Sequence, residues 1–392
     1  MRGNNRKPEH EGGCKNEGDH RVMVDYDTKE DGSMKKPTVT VLIPAYNEEK
    51  TIADTINSIR LQTYLNIVQI LVVDDSSTDN TEEIARECGA EVIRTPSNSG
   101  TKAQAQNFAL PYLKGELTAT IDADTILDAE AIDTMVLRFL KEPDIASACS
   151  FVVPQRRKNF WELGRTVEYI YGLFMRKKTQ EYLGIPIVCS GCFSMFNTAL
   201  LQKYGFKDRT MAEDMDLTWQ LLAEGKKVRF CADTICFPKD PNSWKTYKGQ
   251  VSRWLRSFFQ NLSVHKKDIW KNKKLAVFLY WYLIEGLVGV TFYALLLWNI
   301  IFPPTQYIVV TSPVSLIIPV KAIIPLLLLS GVAVVTASVL YQGHKLKISK
   351  IEILKGVPCY FALSIVNCCL FIEALLNEWV FKRRLEKWEK GH

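Results

Sequence analysis

Two apolar runs of the chain close on acidic residues, and a third acidic cluster lies among packing residues. VVDDSS carries Asp74 and Asp75, ATIDAD carries Asp122 and Asp124, and TMAEDMDLTW sets Glu213, Asp214 and Asp216 among Met211, Met215, Leu217 and Trp219. A D-x-D spacing lets one short turn present two hard oxygen ligands to Mg²⁺ or Mn²⁺, with a bound diphosphate supplying most of the remaining shell. Each acid also has a plain structural reading. Strand-to-helix turns favour Asp, Asn and Ser as caps, and carboxylates are favoured in the first turn of a helix. No glycine-rich phosphate loop of the G-x-x-x-x-G-K-[ST] type occurs, so neutralising a phosphate would fall to a metal.

The elements that must carry these acids follow from periodicity. From Thr38, TVTVLIPAYN is a β-branched apolar run, TIADTINSIRLQ has helical spacing and IVQILVVDDSS is a second buried strand. The helix NTEEIARECG, the strand AEVIRT, the helix KAQAQNFALPYL and the strand LTATIDAD come next. Strands alternating with helices at this spacing predict a parallel, doubly wound sheet. Ligands of such sheets bind at the carboxyl ends of the strands. Tyr46, Asn47 and Glu48, then Asp74 and Asp75, then Asp122 and Asp124 fall at three such ends. EDMDLTWQLLAEG predicts a helix stopped by Gly225, in which Asp216 serves the helix N–H groups.

Taken in order, IPAYNEE, VVDDSSTDNT, NSGTKAQAQN, DADT, SGCFSMFN, MAEDMDL and QVSRW resemble family 2 glycosyltransferases. The resemblance is greatest to the membrane-integrated processive branch that includes poly-N-acetylglucosamine, hyaluronan and cellulose synthases. It runs from about Thr38 to Leu262, and loosely through the apolar tail. It implies an α/β fold of GT-A type, a Rossmann-like mixed sheet with helices on both faces, followed by amphipathic interface helices and C-terminal transmembrane helices.

The resemblance also implies roles for particular residues. Pro44, Tyr46, Glu48 and Asp75 would hold the uridine, and Lys102 would contact the nucleotide. Asp122 and Asp124 would hold the diphosphate-bound metal, Mg²⁺ or Mn²⁺, with Asp124 as the direct ligand. Inverting transfer needs a carboxylate to take the proton from the attacking hydroxyl, on the face opposite the leaving diphosphate. The Asp of the family's E-D pair does this, which makes Asp214 the base and Glu213 an orienting partner. Ser190 and Gly191 fall at the acceptor end of the growing chain. Gln250 and Arg253 would reach the diphosphate, and Trp254 would wall the acceptor sugar. The family usually reads N-x-G-K, whereas here Thr101 stands between Gly100 and Lys102. FPKDPNSWKTY, about 238–247, resembles the family's gating loop, which closes over bound nucleotide.

Composition sets the wider frame. The chain has 392 residues, 47% hydrophobic and 23% charged, with a net charge of +6. Nine Lys or Arg against one acid, Asp268, lie between Lys245 and Lys274, a basic belt of the kind kept on the cytoplasmic side of a membrane. Residues 1–36 hold almost no apolar side chains and predict a flexible tail without a secretory signal. The glycosyltransferase domain is then 37–262, with an interface helix at about 159–182 and the Q-x-x-R-W helix at 248–262.

Residues 263–392 form the membrane part, with three or four spans. Leu275 to Ile301, Ala322 to Tyr341 and Val357 to Val380 are long enough. Three crossings would leave KRRLEKWEK outside, against the charge rule, so either a fourth element hides in Tyr307 to Val320 or the last block re-enters. Glu285 inside the first span reads as a channel lining or as a helix pairing group. The ten cysteines lack framework spacing and fit packing in a reduced compartment.

The function implied is a multi-pass enzyme of the cell membrane with a cytoplasmic catalytic domain. It would transfer sugar from a nucleotide donor, a UDP-sugar, to a growing polysaccharide and export it. Transfer to a polyprenyl phosphate or other lipid acceptor is the second reading, and an inactive nucleotide-binding partner the third. The partners implied are donor, glycan or lipid acceptor, bilayer, and further copies or accessory channel subunits, with no nucleic acid.

Overall fold

The computed structural model describes residues 36–302, 307–312 and 314–385. The sheet starts with β1 (Val39–Ala45), whose alternate residues face different helices. Val41 and Ile43 pack with Ile52 and Ile56 of α1 (Ile52–Arg60), while Leu42 packs with Ala105 and Ala109 of α3 (Lys102–Ala109). A strand apolar on both faces is what a sheet covered by two helix layers requires. β2 (Ile67–Asp74), α2 (Thr81–Glu87), β3 (Glu91–Arg94) and β4 (Leu117–Ile121) complete this half. β1 pairs in parallel with β2 and β4, and β2 with β3, as the alternation predicts.

The second half is mixed rather than parallel. It comprises β5 (Thr125–Leu127), α4 (Ala131–Lys141), β6 (Ile145–Val152), α5 (Phe160–Glu168), α6 (Phe174–Leu183), β7 (Phe193–Asn197), α7 (Thr198–Tyr204), α8 (Glu213–Ala223) and β8 (Lys227–Pro238). The eight strands run β3-β2-β1-β4-β7-β6-β8-β5. β7 lies antiparallel between β4 and β6, so it enters the sheet from the site end and delivers the turn before it beside the β4 carboxyl end. This is the mixed sheet that the GT-A resemblance implies.

α8 ends as its sequence dictates. Gly225 adopts φ +72°, Lys226 N–H donates to Leu221 O (2.9 Å) and Gly225 N–H to Leu222 O (3.2 Å), the paired bonds of a glycine-closed helix. α9 (Trp244–Val264) opens with a capping box between Ser243 and Thr246. The loop after β8 is therefore only 239–243, and the last four residues of the predicted 238–247 loop are helical. α5 and α6 are joined through a π-helical turn, Tyr169–Leu173, into one long element over the expected interface helix.

The apolar C-terminal part contains α10 (Lys273–Ile301), a hairpin of β9 (Tyr307–Ser312) and β10 (Val314–Pro319), α11 (Val320–Lys345) and α12 (Lys350–Leu375), which continues to Val380. Among the described residues, three helices are long and apolar enough to cross a membrane: Lys273–Ile301, Pro325–Lys345 and Lys350–Val380. The Tyr307 to Val320 stretch forms the hairpin rather than a further helix. Its bilayer-length neighbour α10 pairs Glu285 with Arg176 of α6 (2.5 Å), so Glu285 is a helix-pairing group. The predicted flexible tail lies outside the described residues apart from Lys36, as does the end of KRRLEKWEK.

α12 packs on the sheet domain along its whole length. Gly164 of α5 lies so close to it that a Cβ there would collide with Leu363 and approach the Cys359 backbone. Arg157 bonds Glu352 at one end (3.1 Å), Tyr247 OH donates to Asn367 in the middle (2.7 Å), and Arg256 bonds Glu378 at the other end (2.7 Å). The cysteines among the described residues are free.

Candidate active site

β4 stops at Ile121 and hands Asp122 and Asp124 to a tight turn, closed by Thr125 N–H donating to Asp122 O (3.1 Å). Gln155 donates to the Asp124 carbonyl from the far side (2.9 Å). The inserted Thr101 is the N-cap of α3, its hydroxyl accepting from Gln104 N–H (3.4 Å), which makes Lys102 the first helical residue. From there Lys102 Nζ reaches Asp122 Oδ1 (2.5 Å) and Glu213 Oε1 (3.4 Å). The departure from the family spacing therefore keeps the lysine in the carboxylate cluster.

α8 contributes its first turn. Asp214 Oδ2 accepts from Gly191 N–H (2.8 Å) and Oδ1 from Met215 N–H (2.7 Å). An added Cβ at Gly191 would collide with Lys102 Nζ and lie within 3.7 Å of Asp214 and Asp122 oxygens. One ammonium, on α3, thus draws together the D-x-D turn, the E-D pair and the S-G turn from three other elements. Burial disfavours the charge on Lys102, but Asp122, Glu213 and Asp214 outweigh it and hold the ammonium well above its ordinary pKa. Burial pushes the Glu213 carboxyl up, Lys102 opposes that, and neighbouring Asp214 adds to it. The Ser190 hydroxyl is buried beside this cluster without a hydrogen-bond partner.

Asp216 does not join them. It is fully buried, with both oxygens taken by Arg209 (2.7 and 2.8 Å) and His265 (2.8 Å). Burial raises its pKa, yet the bonds from Arg209 and His265 prevail and hold it below the usual carboxylate range. Asp216 therefore ties the start of α8 to the end of α9.

The expected nucleotide residues gather at the ends of β1 and β2. Asn47 (φ +56°) and Ser76 (φ +57°) both take left-handed backbone, an uncommon state that concentrates at functional sites. Asn47 Oδ1 accepts from Thr78 N–H (2.8 Å) and its own N–H donates to Ser77 Oγ (2.9 Å), which locks the two ends together. Pro44 and Tyr46 are half-buried there, and Glu48 N–H donates to Thr81 Oγ1 (2.7 Å). Asp75 is buried and accepts from Thr95 Oγ1 (2.9 Å), Ser99 N–H (3.0 Å) and Ser99 Oγ (2.8 Å). Its neighbour Asp74 is fully buried against Arg94 (2.7 Å).

The Q-x-x-R-W residues divide. Arg253 Nη1 donates to Met211 O (3.2 Å), on the segment that leads into α8. Gln250 and Trp254 instead meet a residue that sequence reasoning missed. Arg165 of α5 is fully buried, donates to Gln250 Oε1 (3.0 Å) and lies 4.7 Å from the Trp254 ring centroid. Asp240 of the 239–243 loop, also missed, lies 3.5 Å from Arg165 Nε. Burial foremost, with a smaller push from Asp124 and against the pull of Arg165, raises the Asp240 carboxyl to about 6. The sequence signal was there: Trp161, Arg165 and Tyr169 recur at i, i+4 and i+8, placing a cation on an aromatic helix face.

Among the described residues no group of three or more His, Cys, Asp or Glu is arranged to hold a metal unaided. Asp122 and Asp124 are hard oxygen donors on one turn. They fit a divalent cation that takes the rest of its shell from a diphosphate.

Residues 40–205 match the family described as Glycosyl transferase family 2, so this segment is a family 2 glycosyltransferase domain. The chain is similar to the uncharacterized glycosyltransferase YaiP of Escherichia coli, 29% identical over 60% of this chain and 60% of that one. It is also similar to a poly-beta-1,6-N-acetyl-D-glucosamine synthase of Staphylococcus epidermidis, 28% identical over 64% of this chain and 62% of that one. The match thus spans less than two thirds of these relatives' own lengths. Among solved structures, the mannosyltransferase PcManGT of Pyrobaculum calidifontis, in complex with GDP-Man and Mn²⁺, superposes with a TM-score of 0.52. It covers 89% of this chain and 88% of its own, at 18% identity, and so speaks for the fold alone.

Proposed function

We propose that this protein is a membrane-integrated, inverting glycosyltransferase that moves a sugar from a UDP-sugar to a growing polysaccharide. The observation that carries the reading is the convergence on Lys102 of Asp122, Glu213 and the Gly191 turn that holds Asp214. Asp214 is the base. Its two oxygens accept from the Gly191 and Met215 amides, which fix the carboxylate's direction and leave lone pairs for the acceptor hydroxyl. Lys102 and Glu213 set the local charge, and Arg253 adds a cation on the α9 side. Pro44, Tyr46, Glu48 and Asp75 hold the uridine, and Ser190 with Gly191 meets the acceptor. Asp124, with Asp122, would hold Mg²⁺ or Mn²⁺, which supplies charge neutralisation for the leaving diphosphate.

The catalytic domain faces the cytoplasm. α10 leaves it and α11 returns to it, and Leu275, Ala276 and Val339 at their near ends are buried in the core shared with the domain. α12 does not cross. A helix that crosses carries its ends to opposite sides of a hydrocarbon layer of about 30 Å, whereas Glu352 and Glu378 both bond arginines of the one domain. This arrangement leaves two crossings, favours partner chains for any export channel, and gives weight to the second reading, transfer to a lipid-linked acceptor.

The test is full-length protein in nanodiscs, given UDP-GlcNAc, UDP-glucose or GDP-mannose with Mn²⁺, with nucleotide release and product size measured. Long polymer from a UDP-sugar supports the first reading and lipid-linked monosaccharide the second. No release from any donor overturns both.

A further inference from the structure

We propose that Arg165 is the positioning residue that fixes Gln250 and Trp254 and couples them to the 239–243 loop. The proposal rests on the reading above together with the family resemblance, which puts Gln250 at the diphosphate and Trp254 at the acceptor sugar.

The guanidinium is completely buried and is shared among three elements. Within α5 and the following turn, Nη1 donates to Glu168 (2.9 Å) and Nη2 to Tyr169 OH (2.7 Å). Towards α9, Nη2 also donates to Gln250 Oε1, and the group lies 4.7 Å from the Trp254 ring centroid and 5.7 Å from that of Tyr247. Towards the loop, Tyr169 OH donates to Asp240 Oδ1 (2.9 Å), which also faces Arg165 Nε.

Gln250 and Trp254 are four residues apart on α9 and so share one helix face. One planar fork can bond the first and stack on the second, which a point-charge ammonium cannot. The Arg165–Tyr169–Asp240 chain then links the loop's position to that face. Asp240 Oδ2 is buried without a hydrogen-bond partner, as is Arg165 Nε, so the bridge is not fully closed in this state. A buried cation is costly to keep unless its geometry serves something. Here it holds, from the membrane-side helix α5, two residues of the reacting cleft.

The test is a double-mutant cycle in full-length protein, pairing Arg165→Lys with Gln250→Ala/Trp254→Ala. It reads donor and acceptor KM, kcat, the fraction of donor lost to water, and amide exchange over 244–256. Arg165→Lys should lower kcat/KM by about tenfold or more, the scale expected of misplaced groups. It should raise wasteful donor hydrolysis, speed exchange at 250–254, and add less than about twofold in the Gln250→Ala/Trp254→Ala background. Native-like kinetics and exchange, or a full additive loss, would overturn the proposal. Should Arg165→Lys not fold, Asp240→Asn in the same cycle must show the same pattern, and its absence overturns the proposal too. If the native protein turns over no nucleotide sugar, exchange alone decides. Faster exchange then upholds the positioning while the functional reading falls, and unchanged exchange removes both.

Discussion

The backbone N–H of Gly191 donates to Asp214 Oδ2 at 2.8 Å across 23 residues of sequence. The turn before β7 and the start of α8 are thereby one unit, and Lys102 fits against it with no room for a side chain at 191. Gly191→Ala should therefore push Lys102 away from Asp122. Transfer should fall by about tenfold to a hundredfold, the range for a displacement near 1 Å, and nucleotide binding by calorimetry should fall by less, since Asp214 aims at the acceptor while Lys102 serves both. Equal losses in both would show that the turn serves the donor instead.

Asp214→Asn keeps an acceptor oxygen for the Gly191 amide but cannot take a proton. Transfer should fall by about 10² to 10⁴, with only a small drop in melting temperature from the Met215 N–H bond that the amide nitrogen cannot accept. A loss below tenfold would remove Asp214 as the base, and Glu213→Gln would be the next variant to assay.

Asp216→Asn should act on stability and its pH dependence. The native carboxyl titrates below its unfolded value, so its contribution is complete above the ordinary carboxylate pKa and fades as pH falls through the native one. The variant should lose about 1–3 kcal/mol at neutral pH, since Arg209 and buried His265 lose one of two acceptor oxygens and the carboxylate charge. That deficit should shrink towards acid pH in denaturant titrations. A deficit that stays constant down to the acid limb would mean packing, not charge, is the cause.

Single cysteines at Lys347 and Leu385, in a cysteine-free background, should both react with an impermeant thiol reagent from the side of the catalytic domain, and one at Phe302 from the other. Labelling of 347 and 385 from opposite sides would restore α12 as a crossing helix.

The carboxyl ends of β1, β2 and β4 were legible because hydrophobic runs and polar stops are local signals; Asp122 and Asp124 lie on such a stop, and Glu213 and Asp214 on a helix start, which is also a local signal. The antiparallel entry of β7 was not, since alternation in FSMFN does not encode strand direction and its partners in β4, Leu117 to Ile121, are far away in the chain. Arg165 was hidden for a related reason. Helical period places it on a face, but only Gln250, 85 positions on, and Asp240 show that the face is buried. The α12 run reads as a span by length alone, and the return of both its ends to one domain depends on Arg157 and Arg256, far away in the chain.

The π-helical turn at Tyr169–Leu173 works as a gear tooth between two registers. Its extra residue rotates everything downstream by about 100° relative to an α-helix. Upstream, Arg165 faces α9; downstream, Arg176 meets Glu285 of α10 and Lys177 turns into the core beside Cys149. Deleting one residue from that turn would leave the composition of the helix nearly untouched, yet it would swing Arg176 off α10 and break its ion pair with Glu285.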